Sequence, residues 1–358
     1  MTPALSADFL GDGDQSAEQI ASILAGFLDG AAGSLQIAIY DLKLGARAGE
    51  VVRRALNGAT SRGVSIRLLY NEEHSQHPLL PPPGFVDHDY LRSLAAQSRS
   101  IPGVPDLMHH KYVVRDGSSV WTGSTNWTTD SWTREENVIV RLHDERVAAA
   151  FGQNFEELWR DRSVQRSGHQ PPTWWDLPDG LRVRAYFTPG RAEKLVHEIA
   201  QRVATARRRI RICSPVLTSG PILASLAETM GRPGLDITGC YDATQMDEVQ
   251  RQWRALPQSA WKLEAWETVR TGIRWGAKRS TPYQAGSVHD FMHAKCLVAD
   301  DTVFTGSYNL SHSGEENAEN VLEVEHPTTA DLFAAYVEGV ASRYGQALPG
   351  PAVDSRSI

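Results

Sequence analysis

Apolar residues along this chain follow two periods, and their order sets out an α/β plan that occurs twice. Ile20, Ile23, Leu24, Phe27 and Leu28 recur at three- and four-residue steps, the stripe of a helix, with Ser16 placed to cap it and Glu18 in its first turn. Residues 35–40 form a continuous apolar run and read as a buried strand. A helix over 46–57, with Val51, Val52 and Ala55 inward, precedes a strand over 64–70. Strand, helix, strand in that order predicts parallel pairing through a right-handed crossover. Further on, 136–142 reads as a strand and 147–159 as a helix. A polar, Pro/Gly-rich stretch over 163–180 then interrupts the pattern. Beyond it the plan returns: a strand at 184–189, a helix over 191–205, a strand over 210–214, a helix over 221–230 and a strand over 235–240. Residues 249–256 read as helical, 321–325 as a strand and 329–344 as a closing helix. Self-similarity on this scale signals duplication. The expected halves are 1–165 and 181–346, joined by a linker over 166–180.

A polar constellation recurs inside the repeat. The first copy holds His109-His110-Lys111, then Asp116, then Gly123-Ser124-Thr125-Asn126, then Glu136-Asn137. The second holds His293-Ala294-Lys295, then Asp300, then Gly306-Ser307-Tyr308-Asn309, then Glu319-Asn320. Each His–Lys pair opens a β-branched or apolar run, so both side chains share one strand face and the intervening residue takes the other. Lysine supplies a fixed cation with three donors, and Asn and Ser supply neutral donors. Histidine can attack or transfer a proton near neutral pH. Two such sets facing each other would hold one phosphate between two lysines and two asparagines, with an imidazole on each side of phosphorus. That geometry suits in-line displacement, one His attacking and the other protonating the leaving oxygen. Glu136 and Glu319 are each expected to hydrogen-bond a ring nitrogen and fix its tautomer.

Both copies resemble the HKD motif of the phospholipase D superfamily, whose members carry two such motifs in one chain or across a homodimer. The match is close over 105–140 and 289–325. The resemblance implies two duplicated phospholipase D-like α-β-α halves about a pseudo-twofold axis with a shared cleft. It also implies a phosphohistidine intermediate, a phosphodiester substrate, and neither metal nor other cofactor. The implied catalytic set is His109, Lys111, Asp116, Asn126, Glu136, His293, Lys295, Asp300, Asn309 and Glu319, with Ser124 and Ser307 on the substrate. Asp116 and Asp300 would support rather than react. By analogy with two-motif members His109 is the nucleophile and His293 the acid and base, although the sequence itself is symmetric here. A phospholipid head-group diester, hydrolysed or transferred to an alcohol, is the first expected substrate. The alternatives are a metal-independent nuclease acting on DNA or RNA, a cardiolipin-synthase-like phosphatidyltransferase, and a non-catalytic phosphate-binding protein.

The remaining features adjust this picture. The chain has 358 residues and a formal net charge of −7, which disfavours a general nucleic-acid coat but allows a local basic groove. Arg207-Arg208-Arg209-Ile210-Arg211 is the densest basic run, either a solvated helix end or a phosphate track. Trp127 and Trp132 are expected at the cleft rim, stacking a base, touching acyl chains or packing. Residues 274–279 read as a cleft loop. Leu79 to Phe85, apolar and proline-stiffened, could line a lipid-binding mouth or form an ordinary surface loop, and a short helix is expected over 89–97. His74 and His77 lack ligand spacing, and Cys213, Cys240 and Cys296 read as buried thiols. Neither a secretory signal nor a membrane span is evident, so a cytoplasmic protein without an anchor is expected. Nothing in the sequence sets an oligomeric state.

Overall fold

The computed structural model describes residues 3–72, 86–284 and 286–345. The Leu79–Phe85 loop, His74 and His77 lie outside the described residues. Two sheets dominate. The first contains β1 (Leu5–Leu10), β2 (Ser34–Ile39), β3 (Ser65–Asn71), β4 (Gln97–Ile101), β5 (Lys111–Arg115), β6 (Ser119–Gly123) and β7 (Asn137–His143), in spatial order β1-β7-β6-β5-β2-β3-β4. The second contains β8 (Trp175–Asp176), β9 (Arg182–Phe187), β10 (Arg209–Ser214), β11 (Asp236–Asp242), β12 (Arg274–Lys278), β13 (Cys296–Ala299), β14 (Thr302–Gly306) and β15 (Asn320–Glu325). Its order is β8-β9-β15-β14-β13-β10-β11-β12. With the short β8 set aside, the two orders coincide strand for strand. β2, β3 and β4 are mutually parallel, as are β10, β11 and β12, and the other neighbours run antiparallel. The expected β-α-β crossover is present in both halves.

Helices cover the sheets for a plain reason: each carries one apolar stripe. α1 (Ala17–Asp29), closed at its N-terminus by the Ser16–Gln19 capping box, and α2 (Ala46–Ser61) pack on the outer face of the first sheet. α3 (Thr129–Thr133) follows β6. α4 (Glu145–Asp161) turns Val147, Phe151, Phe155 and Leu158 to the inner side. In the second half α5 (Ala192–Thr205), α6 (Gly220–Thr229), α7 (Ala243–Arg254) and α8 (Ala260–Gly272) cover the outer face. α9 (His312–Glu316) follows β14 as α3 follows β6, and α10 (Pro327–Arg343) mirrors α4.

The inner faces of both sheets, with α4 and α10 between them, share one continuous core. Phe151 of α4 stacks edge-on against Phe187 of β9, 5.0 Å between centroids, so a helix of one half packs on the sheet of the other. Truncating such a fully buried ring to alanine costs about 3–5 kcal/mol. Joint burial fixes how the halves face each other, and the site below depends on that. Two elements depart from expectation. The short helix expected over 89–97 is present as His88–Ser93 but ends early, and residues 97–101 form the edge strand β4, because Gln-Ser-Arg-Ser carries no apolar stripe. Residues 274–278 form the edge strand β12 rather than a cleft loop, with Gly276 passing close to Ala341 of α10. Among the described residues, no helix is long and apolar enough to cross a membrane.

Candidate active site

The same local construction delivers each His–Lys pair. The end of β3 presents Asn71, which accepts the Met108 N–H at 2.9 Å; the end of β11 presents Asp242, which accepts the Met292 N–H at 3.1 Å. The segment entering β5 then pairs across the interface, His109 N–H to Ala318 O at 2.9 Å and Ala318 N–H to Leu107 O at 2.8 Å. Strand alternation turns His110 inward, where it packs edge-on to Tyr112 and Phe187. Lys111 and Lys295 each fold back to donate to the carbonyl of their own histidine, His109 O and His293 O, both at 2.6 Å.

Each histidine is held by the opposite half. His109 Nδ1 lies 2.8 Å from Glu319 Oε1. His293 Nδ1 lies 3.0 Å from Asn137 Oδ1 and 3.3 Å from Glu135 Oε2. The expectation that Glu136 orients a histidine is therefore corrected: its carboxylate turns the other way, to Lys278, at 2.8 Å. The cause is a one-residue difference in register. Ser124 N–H bonds Val138 O whereas Ser307 N–H bonds Asn320 O, so Val138 matches Asn320 and Asn137 matches Glu319. Ser124 and its partner Val138 are 14 residues apart whereas Ser307 and Asn320 are 13 apart, and a single-residue slip reverses every side chain in a strand. A signal existed in the sequence. The polar positions of the two strands, Arg141 and His143 against Glu323 and Glu325, align with the structural register and not with the Glu-Asn match.

The turns before these strands need glycine. A Cβ on Gly123 would meet Val138 O at 2.1 Å, and one on Gly306 would meet Asn320 O at 2.1 Å. Ser124 and Ser307, expected on the substrate, are instead fully buried braces. Ser124 Oγ donates to Asn137 Oδ1 at 2.7 Å and accepts the Val138 N–H; Ser307 Oγ accepts the Asn320 N–H at 3.0 Å. The side-chain carbonyl oxygens of Asn126 and Asn309 are each buried without a protein hydrogen-bond partner.

Asp116 and Asp300 do not belong to the reacting set. They lie past the far ends of the strands that begin at their lysines. Asp116 accepts the N–H groups of Ala32, Gly33 and Ser34 at 2.9, 2.7 and 2.8 Å. Asp300 accepts those of Arg207, Arg208 and Arg209 at 3.0, 2.8 and 3.1 Å. Both sit at left-handed backbone, φ 53° and 52°, where Asp is tolerated. Burial alone would raise these carboxyls, but the three donors prevail and hold each below its usual range. The motif aspartate is a turn-former that anchors one strand to the next.

Burial dominates the electrostatics. It brings Lys111 down to about 7 against the pull of Glu319, Asp41 and Glu135. Burial and then the charge of Lys111 hold Lys295 well below the usual lysine range. Glu319 is pushed up to about 8 by burial despite Lys111, and Glu135 up to about 7 despite hydrogen bonds from Asn137 and Ser131. Burial, then the two lysine charges, hold both imidazoles well below their usual range while no anion is bound. Two cations forced together without solvent favour an incoming anion, and a neutral imidazole whose Nδ1 is engaged keeps the Nε2 lone pair for attack.

Two other expected features are spent elsewhere. Trp127 and Trp132 are 2 % and 1 % exposed and pack in the outer core, not at a rim. Within the basic run, Arg208 pairs with Asp301, Arg209 with Asp331 at 2.6 Å, and Arg211 with Asp236 and Glu338. The three cysteines are buried and free. Among the described residues no group of three or more His, Cys, Asp or Glu is arranged to hold a metal ion.

Comparison with known proteins gives a consistent picture. A family model described as "Cardiolipin synthase, PLD-like domain" matches residues 24–159 and 199–340. The chain is 32% identical over 111 residues to the mitochondrial cardiolipin hydrolase of Xenopus tropicalis, covering 28% of this chain and 45% of that protein. It is 31% identical over 142 residues to the human protein of the same name, covering 38% and 51%. The chain thus matches about half the length of these relatives or less. Its fold is similar to that of phosphatidylserine synthase from Haemophilus influenzae Rd KW20, with a TM-score of 0.67 at 12% identity over 96% of this chain and 87% of that one.

Proposed function

Since the chain belongs to the phospholipase D superfamily, we propose that it cleaves a phosphodiester by two displacements at its paired histidines, and that the substrate is a phospholipid head-group diester. The observation that carries this reading is the reciprocal bracing of His109 by Glu319 and of His293 by Asn137 and Glu135, with two buried lysines beside them. Lys111, Lys295 and the amides of Asn126 and Asn309 hold the non-bridging oxygens. His109 Nε2 attacks phosphorus as the bond to the leaving oxygen breaks, and His293, carrying a proton taken from solvent as the diester anion binds, gives that proton to the leaving oxygen. The imidazole of His109 becomes cationic when phosphorylated, and the Glu319 carboxylate opposite Nδ1 stabilises that charge. His293, now neutral, takes a proton from water or an alcohol. That oxygen attacks phosphorus, the P–N bond breaks, and His109 returns neutral. Assigning the nucleophile to His109 rests on its short single contact with a carboxylate. Across the axis the matching Asn137 offers an amide oxygen to His293, and the carboxylate of Glu135 stands farther off at 3.3 Å.

The names of the curated relatives support a lipid diester. So does the fate of the features that would serve a nucleic-acid strand: the tryptophans are in the core, and Arg208, Arg209 and Arg211 are paired with carboxylates. The test is a parallel assay in EDTA. Vesicles of phosphatidylcholine with cardiolipin are compared with single-stranded DNA and RNA, using wild type and His109→Ala. Release of a lipid head group or of phosphatidic acid, absent in the variant, is expected. Strand cleavage with intact vesicles would overturn the lipid assignment.

A further inference from the structure

Glu136 is the motif residue displaced by the register difference, and the structure gives it a different set of contacts. It is fully buried at the start of β7, between the two residues that hold His293. Alternation sends Glu135 and Asn137 to the histidine and Glu136 to the opposite side. There its carboxylate receives the Lys278 ammonium at 2.8 Å, the Tyr344 hydroxyl, and the Asp12 N–H at 3.3 Å. Lys278 is 5% exposed and also reaches Arg134 O at 2.8 Å and the Asp12 carboxylate at 3.2 Å. Tyr344 is itself fixed, because its carbonyl accepts the Ala277 N–H at 3.0 Å while neighbouring Arg343 pairs with Asp14 at 2.8 Å. Four separate stretches of chain converge on one carboxylate: the β1–α1 loop, the entry to β7, the edge strand β12 and the end of α10. In the other half the matching position is Ala318, which has no carboxylate to clamp, and the Glu319 carboxylate faces His109 directly.

We propose that Lys278 and Tyr344 are positioning residues for His293. By clamping Glu136 from behind they fix the backbone of 135–137, and with it the distances from Glu135 and Asn137 to the His293 ring. The clamp bears on one histidine and leaves the His109–Glu319 pair alone. This inference rests on the phosphodiesterase reading, with His293 as acid and then base.

The asymmetry supplies the test. With bis(p-nitrophenyl) phosphate the leaving group is a stable anion, so the first displacement does not need a proton from His293. The second, in which water attacks the phosphohistidine, needs His293 as base. The rate of the p-nitrophenolate burst therefore reports His109, and steady turnover reports His293. Tyr344→Phe removes one bond to Glu136 without changing size, and Lys278→Met removes the cation at similar length. Both are expected to keep the wild-type burst rate and lose about 10- to 100-fold in turnover, as for a displaced catalytic group, with KM no higher. Tyr344→Phe carries the test if Lys278→Met fails to fold. A fall of burst and turnover by the same factor would mean a general loss of structure and overturn the proposal. Unchanged turnover in Tyr344→Phe would overturn it as well. Absence of any p-nitrophenol release from wild type would instead defeat the phosphodiesterase reading, and this inference with it.

Discussion

Glu319→Gln isolates the contact on which the assignment of the nucleophile depends. The substitution keeps shape and an acceptor 2.8 Å from His109 Nδ1 but removes the charge. Once phosphorylated, the ring of His109 carries a positive charge about 4 Å from the centre of the carboxylate, worth about 4 kcal/mol at an effective dielectric of about 20. A neutral amide retains about 1 kcal/mol of that as a hydrogen bond. The difference, about 3 kcal/mol, corresponds to roughly two decades in the rate of the first displacement. Stopped-flow recording of the p-nitrophenolate burst from bis(p-nitrophenyl) phosphate measures it. The pH dependence gives a second check with a defined sign. Burial raises the Glu319 carboxyl to about 8, so below that pH the wild-type residue is largely neutral, as glutamine is at every pH. The ratio of wild-type to variant burst rate should therefore grow as pH rises through 8 and level off above it. A burst rate reduced less than about threefold at pH 9 would refute the reasoning, because the charge would then contribute under about 0.7 kcal/mol.

Other consequences follow from the same geometry. Lys111→Ala and Lys295→Ala should each lower kcat/KM by about 2–4 kcal/mol of transition-state stabilisation, as for a lost oxyanion donor. Binding of a non-cleavable diester anion should be flat below pH 7 and weaken about tenfold per unit above it. Lys111 sits at about 7 and must be protonated to hold the anion, so calorimetry in two buffers should show proton uptake on the alkaline side. Constant affinity between pH 7 and 9 would contradict that. Asp116→Ala should lower stability by about 2 kcal/mol in urea titration, through three unpaired turn donors and alanine at φ 53°, while kcat per folded molecule stays unchanged. Turnover should persist in EDTA, since the two lysines supply the charge neutralisation; loss on chelation restored by a divalent ion would contradict the mechanism.

Much of this site could be read from the sequence because its chemistry sits in strands, where spacing maps onto faces. His109 with Lys111, and His293 with Lys295, at two-residue separation had to share a side, and the duplicated order of elements had to produce two sheets of the same plan. What resisted reading was set by single-residue offsets and by contacts between distant stretches. The hairpin turn at Asp116 is one residue longer than that at Asp300, and Ser124 pairs one residue further along its strand, with Val138, than Ser307 does with Asn320. Motif matching absorbs both offsets silently, yet the second moves Glu136 to the back and puts Asn137 and Glu135 on the histidine. Asp116 and Asp300 are legible as supporting residues from their place in the repeated motif, but not the support they give, which is a turn that each half must build. For Arg208, Arg209 and Arg211 the sequence leaves open a structural helix end or a phosphate track, because the carboxylates that pair with them lie from 25 to 127 residues further along the chain. Trp127 and Trp132 looked exposed from their place between two polar motif residues, whereas the short helix α3 turns back and carries Trp132 into the core.

The central claim is a covalent intermediate on His109, and its most direct measurement is intact-mass and peptide mass spectrometry of the His293→Ala variant after exposure to bis(p-nitrophenyl) phosphate. The first displacement proceeds with this leaving group, and the second stalls without its base. One p-nitrophenylphosphoryl group per chain, mapped to His109 and absent from His109→Ala, is the expected result. An adduct on His293 in the reciprocal His109→Ala experiment, with none on His109, would reverse the roles. No adduct on either histidine while wild type turns over would contradict the covalent mechanism itself.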